Sequence, residues 1–514
     1  MTTRSALRRL AACAVALCLP LAAHAEQDAG AGCAGPNGSR FNLEPRPNAV
    51  VQAARSVAFL QGRAAPGIDL VVATASDTRS LAGSPDAFYV DRSNAACRPD
   101  FEGGPPTISN VFDTFVPAGS STVIADPPRD AFFIVDLRFG LFTDENGVGI
   151  VRTTAANLLS STACPSGTQP GSASCWPVGA VTNITSLNAF LFDPHIAVDP
   201  RSSGTGAGNL YTVVTQRTTD GSSTSISLTA CTNAKLVCGG SITVSGADAN
   251  AGAPYVQVRP DGVITVSYRN TTFPGVNPED IQFVTCTPNG APNPPTCNAP
   301  VLVTTEGNPI FAGLIGDVPM TDDLYPRHVH RLESDGHTVT TFLLYDRCDV
   351  PEIQQLGAGA SFCPKTGVVV TSSSDGGLTW SPFTKVTSSA GQQFFGTLAL
   401  DASTSTVNIA YYSTENDFFQ QKPQVFLAQI PPGSTDVGTP QLLTTGFADV
   451  RASSPIVVVL QTAAFGDRIG LAVSGSGSQG GSRAYVGFTW NTVPGVYGGV
   501  PSADVNNHLT AFSY

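Results

Sequence analysis

The sequence predicts an all-β protein assembled from repeated small sheets, and three observations carry that expectation. The chain of 514 residues holds 51 glycines and 39 prolines, with only 13% charged residues, a composition that suits short strands and many turns. Apolar alternating segments that end in turn residues recur at intervals of roughly 50 to 75 residues, room enough for four strands and their loops. Close pairs of cysteines fall at the same place in several of these copies. Length alone would imply several domains, yet no low-complexity linker separates any. A repeat architecture resolves the conflict, because each added sheet brings its own thin core.

The beginning of the chain sets the expected compartment. Arg4, Arg8 and Arg9 precede an apolar run from Leu10 to Ala22, and Ala23-His24-Ala25 matches a small-x-small cleavage site. Residues 1–25 therefore read as a secretory signal peptide, with the mature chain starting at Glu26. Residues 26–53 form an N-terminal segment, and residues 54–514 form one repeat domain. No later stretch is apolar for long enough to span a membrane as a helix. Loss of the leader's three arginines moves the formal charge from −12 to −15, and four lysines remain, Lys235, Lys365, Lys385 and Lys422. That balance excludes nucleic acid and anionic membranes as expected partners.

Each repeat reads as an inner strand, a turn, a second strand, a loop and an outer hairpin. Copy one is faint, with Asp69–Ala73 inner and Ala87–Val90 outer. Copy two runs through Thr122–Pro127, Ala131–Asp136 and Gly149–Arg152. Copy three is clearer, with Asp193–Pro200 ending on an Asp-Pro stop and Asn209–Val214 returning. Copy four is Pro254–Val258, a turn at Asp261-Gly262, then Val263–Tyr268. Copy five starts at Pro326–Val329, turns at Asp335-Gly336 and continues through Thr341–Tyr345. Copy six is Thr397–Asp401 and Val407–Tyr412. Copy seven begins at Asp467–Val473 and returns through Ala484–Trp490.

Copy five closes on Ser373-Ser374-Asp375-Gly376-Gly377-Leu378-Thr379-Trp380. An Asp at this spacing accepts N–H groups from the residues after it, the glycines allow positive φ, and the Trp packs between sheets. Ser373, Asp375, Gly377, Thr379 and Trp380 fill the five positions of an Asp-box, and the chain resembles the sialidase-like, Asp-box (BNR-repeat) β-propellers. The resemblance implies six or seven four-stranded blades around a channel. It implies a structural role for the box, on the face away from any active site. Pairing an early strand such as Ser56–Leu60 with the terminal Leu509–Ser513 would close the ring and hide the open edges.

Ten cysteines follow the leader, an even number that disulfides explain in an exported chain. Cys164/Cys175, Cys231/Cys238 and Cys286/Cys297 each fall across an outer hairpin, where copy five has its Asp-box. Cys348/Cys363 ties the loop after the second strand of copy five. That leaves Cys33 to pair with Cys97 and fix the N-terminal segment. Each bond contributes about 2–4 kcal/mol. Metal binding is the rival reading, and no Cys-x-x-Cys spacing supports it.

In the sialidase-like propellers the ligand lies on the channel axis, at the starts of inner strands and the loops after second strands. Carried onto this chain, that face collects His195, Tyr255, Arg269, Arg327, His328, Asp346, Arg347, Tyr412, Glu415, Asp467 and Arg468. Guanidinium groups from several blades can clamp a carboxylate through their planar forks. Catalysis in the family uses a Tyr–Glu pair and an Asp acid/base, for which Tyr345-Asp346-Arg347 and Tyr412 with Glu415 are the nearest candidates. No Phe-Arg-Ile-Pro or Tyr-Arg-Ile-Pro segment supplies the family's first clamp arginine. His328 and His330 share a strand face downstream of Asp322-Asp323, a conceivable metal site. Structural calcium fits an acidic exported propeller, although no Asp-x-Asp-x-Asp-Gly loop occurs. No Gly-x-Ser-x-Gly elbow points to a serine nucleophile. No other cofactor is expected.

Three functions follow, since one fold hosts many activities. The leading one is a monomeric, secreted or periplasmic propeller that binds glycans or another acidic extracellular ligand over its channel. The alternatives are an exo-acting glycoside hydrolase of exo-α-sialidase type and an extracellular assembly scaffold.

Overall fold

Alternating apolar strands punctuated by Gly, Pro and Asp turns form four-stranded antiparallel sheets, seen in a computed structural model. It describes residues 39–42, 52–77, 86–92, 101–109, 114–143, 145–164, 174–186, 189–218, 220–246, 248, 250–271, 279–306, 312–315, 318–321, 325–349, 354–356, 360–363, 365–444, 446–448, 469–475, 482–497 and 500–513. The leader, Cys33, Cys97, Asp322-Asp323, Asp467 and Arg468 lie outside these residues.

The architecture is a β-propeller. Six blades are contiguous in sequence. Blade 1 runs from the inner strand Gln52–Ala65 through Ile68–Asp77 and Asp86–Asp91 to Phe101–Gly103. In blade 2, Thr122–Asp126 is innermost, followed by Ala131–Gly140, Glu145–Thr154 and Val178–Ser186. Blade 3 is Leu191–Val198, Leu210–Arg217, Thr224–Cys231 and Ile242–Thr243. Blade 4 is Ala251–Val258, Ile264–Thr271 and Glu279–Thr287, with Thr296–Cys297 and Val301–Glu306 both on its outer edge. Blade 5 is Arg327–Leu332, Val339–Cys348, Thr366–Ser373 and Thr384–Lys385. Blade 6 is Gln393–Asp401, Thr406–Ser413, Gln424–Ile430 and Gln441–Leu442. Helix is confined, among the described residues, to Ala155–Leu159 and a 3-10 turn at Pro127–Arg129.

A further sheet closes the ring and is composite. Gly470–Ser474, Arg483–Tyr497 and Val500–Ser513 are joined at the outer edge by Ser39–Asn42, with Ser39 opposite Ala511 and Asn42 opposite His508. Two sequence expectations are corrected here. The terminal strand pairs with Ser39–Asn42 rather than with Ser56–Leu60, which belongs to the inner strand of blade 1. Asp69–Ala73 is accordingly the second strand of that blade. A strand at residue 39 can reach the far edge, whereas the segment at residue 56 is held at the axis by its own hairpin.

Apolar residues collect in layers between neighbouring sheets. Blades 1 and 2 enclose Leu70, Phe88 and Phe132 around Trp176, whose ring meets Phe88 edge-on at 5.2 Å. Ile196 and Leu210 bury against Phe133 and Ile150 between blades 2 and 3. The closing sheet packs Tyr485 and Ala472 on Val57 and Val71 of blade 1. Each strand needs apolar side chains on both faces, so the blades read as nearly continuous Val, Ile, Phe and Tyr runs.

Disulfides staple the outer edges at Cys164–Cys175, Cys231–Cys238 and Cys286–Cys297, and Cys348–Cys363 ties the second strand of blade 5 to the loop before its third. The expected fifth bond, from Cys33 to Cys97, falls outside the described residues. Cys97 follows the third strand of blade 1 and, like Cys33, lies outside the described residues, so the pairing of Cys97 stands as an expectation from cysteine count alone. These four bonds share a local origin, each closing a loop of 7 to 15 residues. Such bonds form in oxidising compartments outside the cytosol. No helix of the described residues is long and apolar enough to cross a membrane.

Candidate functional site

Where the inner strands begin, Ser56, Thr122, His195, Tyr255, Arg327, Thr397 and Gly470 converge on a cavity of about 60 Å³ at the channel mouth, with Tyr325 beside them. A shared backbone device aims these residues. The ladder register shifts between Phe192 and His195, Gly252 and Tyr255, and Phe394 and Thr397. Two positions before each of four mouth residues lies a non-glycine with positive φ: Ser120 (63°), Asp193 (49°), Ala253 (51°) and Phe395 (54°). Such residues cost about 1–3 kcal/mol and persist only where neighbours enforce them. The bulge turns the next-but-one side chain to the axis.

The preceding blade supplies the enforcement. Asp346, buried at the end of the second strand of blade 5, accepts the Phe395 N–H at 2.6 Å and the Gly396 N–H at 3.1 Å. Ser267 Oγ donates to the Pro326 carbonyl at 2.7 Å, Thr122 Oγ1 to the Pro194 carbonyl at 3.4 Å, and Thr74 Oγ1 to the Ser121 carbonyl at 3.5 Å. Proline or glycine directly precedes His195, Tyr255, Arg327 and Thr397, a sequence signal that would have found Thr397. Ser56 and Thr122 carry no comparable mark.

The mouth combines stacking surface with hydrogen-bond donors. The His195 and Tyr255 rings lie 4.0 Å apart between centroids, and the Val256 N–H donates to His195 Nδ1 at 3.4 Å. Gln257 Nε2 donates to the Tyr255 phenol oxygen at 3.1 Å, and Tyr325 donates to the Asp193 carboxylate at 3.4 Å. Arg327, 9% exposed, donates from Nη1 to the Ile469 carbonyl at 3.0 Å. Burial pushes the Tyr255 phenol up, outweighing the nearby Arg327 guanidinium that pulls it down, so the phenol stays protonated at neutral pH. No Asp or Glu is among the described residues lining this mouth.

His195, Tyr255 and Arg327 thus come together, and several other sequence candidates do not join them. His328 is fully buried between blades 4 and 5, its ring bonded to Ser267 Oγ and Thr265 Oγ1, both at 2.8 Å. His330 also meets Thr265 Oγ1 at 2.8 Å and Thr341 Oγ1 at 2.9 Å. No cluster of three or more metal-ligating side chains occurs among the described residues. Arg269 faces Glu279 at 3.5 Å. Arg347 lies over the Phe383 ring at 4.1 Å, with Glu306 and Asp349 each 3.8 Å away. Tyr412 is buried against Phe394, ring centroids 5.3 Å apart, and Glu415 accepts from Ser389 and Ser413. A Tyr–Glu pair does exist, Tyr345 of blade 5 donating to Glu306 of blade 4 at 2.6 Å, but both are buried where those blades meet and neither lines the mouth.

The hairpin at Ser373–Trp380 links the two outer strands of blade 5. Asp375 Oδ1 accepts the Leu378 and Thr379 N–H groups at 3.0 Å, and Oδ2 accepts the Thr379 hydroxyl at 2.6 Å. These bonds hold its carboxyl down at about 2. Trp380 meets Phe283 of blade 4 edge-on at 5.1 Å.

No family model and no curated protein matches the chain. Several solved structures do. One is a protein of unknown function from Dyadobacter fermentans, 12% identical, covering 79% of this chain and 97% of its own, with a TM-score of 0.42. Another is the α-L-arabinofuranosidase Arb93A of Fusarium graminearum, 9% identical, covering 77% and 98%, with a TM-score of 0.42. A third is the Hadza microbial sialidase Hz136, 8% identical, covering 93% of each chain, with a TM-score of 0.41.

Proposed function

We propose that this is an exported binding propeller whose channel mouth recognises an acidic glycan. The carrying observation is the buried Arg327 guanidinium set beside the His195–Tyr255 ring pair and the hydroxyls of Tyr325, Thr122 and Thr397. A sugar presents apolar C–H faces that stack on rings and hydroxyls that pair with such donors, and a carboxylate matches the guanidinium fork. Hydrolysis needs a carboxyl acid/base beside either a second carboxylate or a Tyr–Glu pair, and the described residues lining the mouth include no Asp or Glu.

A glycan array probed with the oxidised protein tests the reading. Carboxylated glycans are expected to bind, and Arg327→Ala to weaken them by about 10- to 100-fold, the worth of a hydrogen bond to a charged group. Tyr325→Phe, which keeps the ring, should weaken them less. Binding only to neutral glycans, or carboxylate binding indifferent to Arg327→Ala in folded protein, would refute it. Turnover of a fluorogenic sialoside would make the chain an exo-acting hydrolase instead.

A further inference from the structure

Below the mouth the channel widens into a second cavity of about 500 Å³. Its wall comes from the later halves of the inner strands, with Phe59, Ile124, Val258, Val329, Leu400 and Val473 representative of a mainly aliphatic lining. That volume, with apolar walls and few polar groups, is characteristic of small-molecule pockets. Its polar lining is Ser56, Thr122, His195, Tyr255 and Gln257 toward the mouth, where Gln257 Nε2 meets the Tyr255 phenol oxygen at 3.1 Å, with the largely buried His330 further along the wall.

The far end is framed by Pro127, Pro200 and Pro260, each just past the inner strand of blades 2, 3 and 4, and by Ala402 beside the inner strand of blade 6. Proline's fixed φ makes such a rim preformed, so little ordering is lost when something enters. The guanidiniums nearby are matched within their own blades: Arg129 with Asp126 at 3.1 Å, Arg201 with Asp199 at 2.6 Å, and Arg259 with Asp261 at 2.8 Å. Each of these positive charges is balanced by a neighbour, which favours an uncharged guest. Water bonds poorly to an aliphatic wall and is released at little cost.

We propose that the channel is a binding site for an uncharged, mainly apolar molecule with one hydrogen-bonding group. The guest enters between the prolines and directs its polar group to Gln257 and Tyr255. The site meets the mouth at Ser56, Thr122, His195 and Tyr255, whereas Arg327 and Tyr325 line only the mouth. Loss of carboxylate binding in Arg327→Ala and loss of probe binding in Ala399→Trp are therefore separate outcomes.

N-Phenyl-1-naphthylamine, a neutral fluorophore with a single N–H, is the probe. The oxidised protein should enhance its fluorescence saturably with one-to-one stoichiometry. Ala399→Trp, two residues along the strand from Thr397 and so on the same face, fills the channel and should weaken binding by about tenfold or more. Gln257→Leu, which keeps the volume and removes the polar anchor, should weaken it several-fold. Phe418→Ser with Phe419→Ser, an exposed aromatic pair on a blade 6 loop, should leave it unchanged. Absence of saturable enhancement, or enhancement that survives Ala399→Trp or disappears with the Phe418/Phe419 change, overturns the proposal. A crystal of the unsubstituted protein soaked in the probe gives the second measurement: density inside the channel supports the site, and density elsewhere overturns it.

Discussion

At the scale of single residues, the left-handed positions before the mouth are the least expected feature. Phe395 has no intrinsic reason to adopt φ 54°, and Asp346 supplies one by accepting two successive N–H groups across a blade seam. Asp346→Ala leaves both groups unpaired and should lower stability by about 2–3 kcal/mol, read from the denaturant midpoint at constant slope. In the sequence, Asp346 reads as a candidate ligand-binding carboxylate. What the sequence could not convey is that its partner is the backbone of the next blade, because that contact spans 49 residues and depends on how sheets are stacked. His195 and Arg327 were placed on the channel face by the resemblance, as residues at the starts of inner strands, and both line the mouth.

Among elements, the strand Arg327–Leu332 shows how alternation divides one segment between two tasks. Arg327 faces the axis, while His328 and His330 are enclosed in the seam, rings 5.2 Å apart, sharing the Thr265 hydroxyl. Burial holds His328 down at about 3, and burial, His328 and Arg259 together hold His330 well below the usual range. The unfolded chain takes up protons below about pH 6.5, and the seam refuses them until far lower. Stability is therefore unaffected by these groups above about pH 6.5 and falls as pH drops from there toward 3, by up to about 1.4 kcal/mol per pH unit for each histidine. Thermal midpoints at pH 8, 6 and 4.5 should fall less steeply with acid in His330→Gln than in the unsubstituted protein, even if the variant starts lower. A parallel fall would remove the histidines from the account.

Across the whole molecule, the face opposite the mouth is stitched blade to blade. Arg63 reaches Asp130 of blade 2 at 2.5 Å, Arg129 reaches the Arg201 carbonyl of blade 3 at 2.9 Å, and Arg201 reaches the Asp261 carbonyl of blade 4 at 2.8 Å. Arg331 spans from blade 5 to the Pro431 and Ser434 carbonyls of blade 6 at 2.9 and 2.8 Å, and Ser482 of the closing sheet donates to Asp401 of blade 6. Closure itself depends on Ser39–Asn42. Deleting residues 1–42 exposes the edge of Val500–Ser513, and should lower the melting temperature and produce concentration-dependent association, measured by calorimetry and light scattering. A truncated protein that stays monomeric with an unchanged melt would show that closure rests on the apolar seams alone.

The sequence by itself determined the all-β repeat, the inner strands of copies two to six, the turn chemistry at Asp375 and four cysteine pairings, because periodicity, turn residues and short loops are local properties. The assignment of Cys97 to Cys33 had no such local support, since it rested on the two cysteines left over after the close pairs were matched. Only the tertiary structure decided which strand closes the ring, which candidates meet at the axis and which are enclosed between sheets. The reason is geometric. A strand's two faces are equivalent in sequence when both are buried, so the choice between channel and seam is made by bulges and by neighbouring blades far away in the chain.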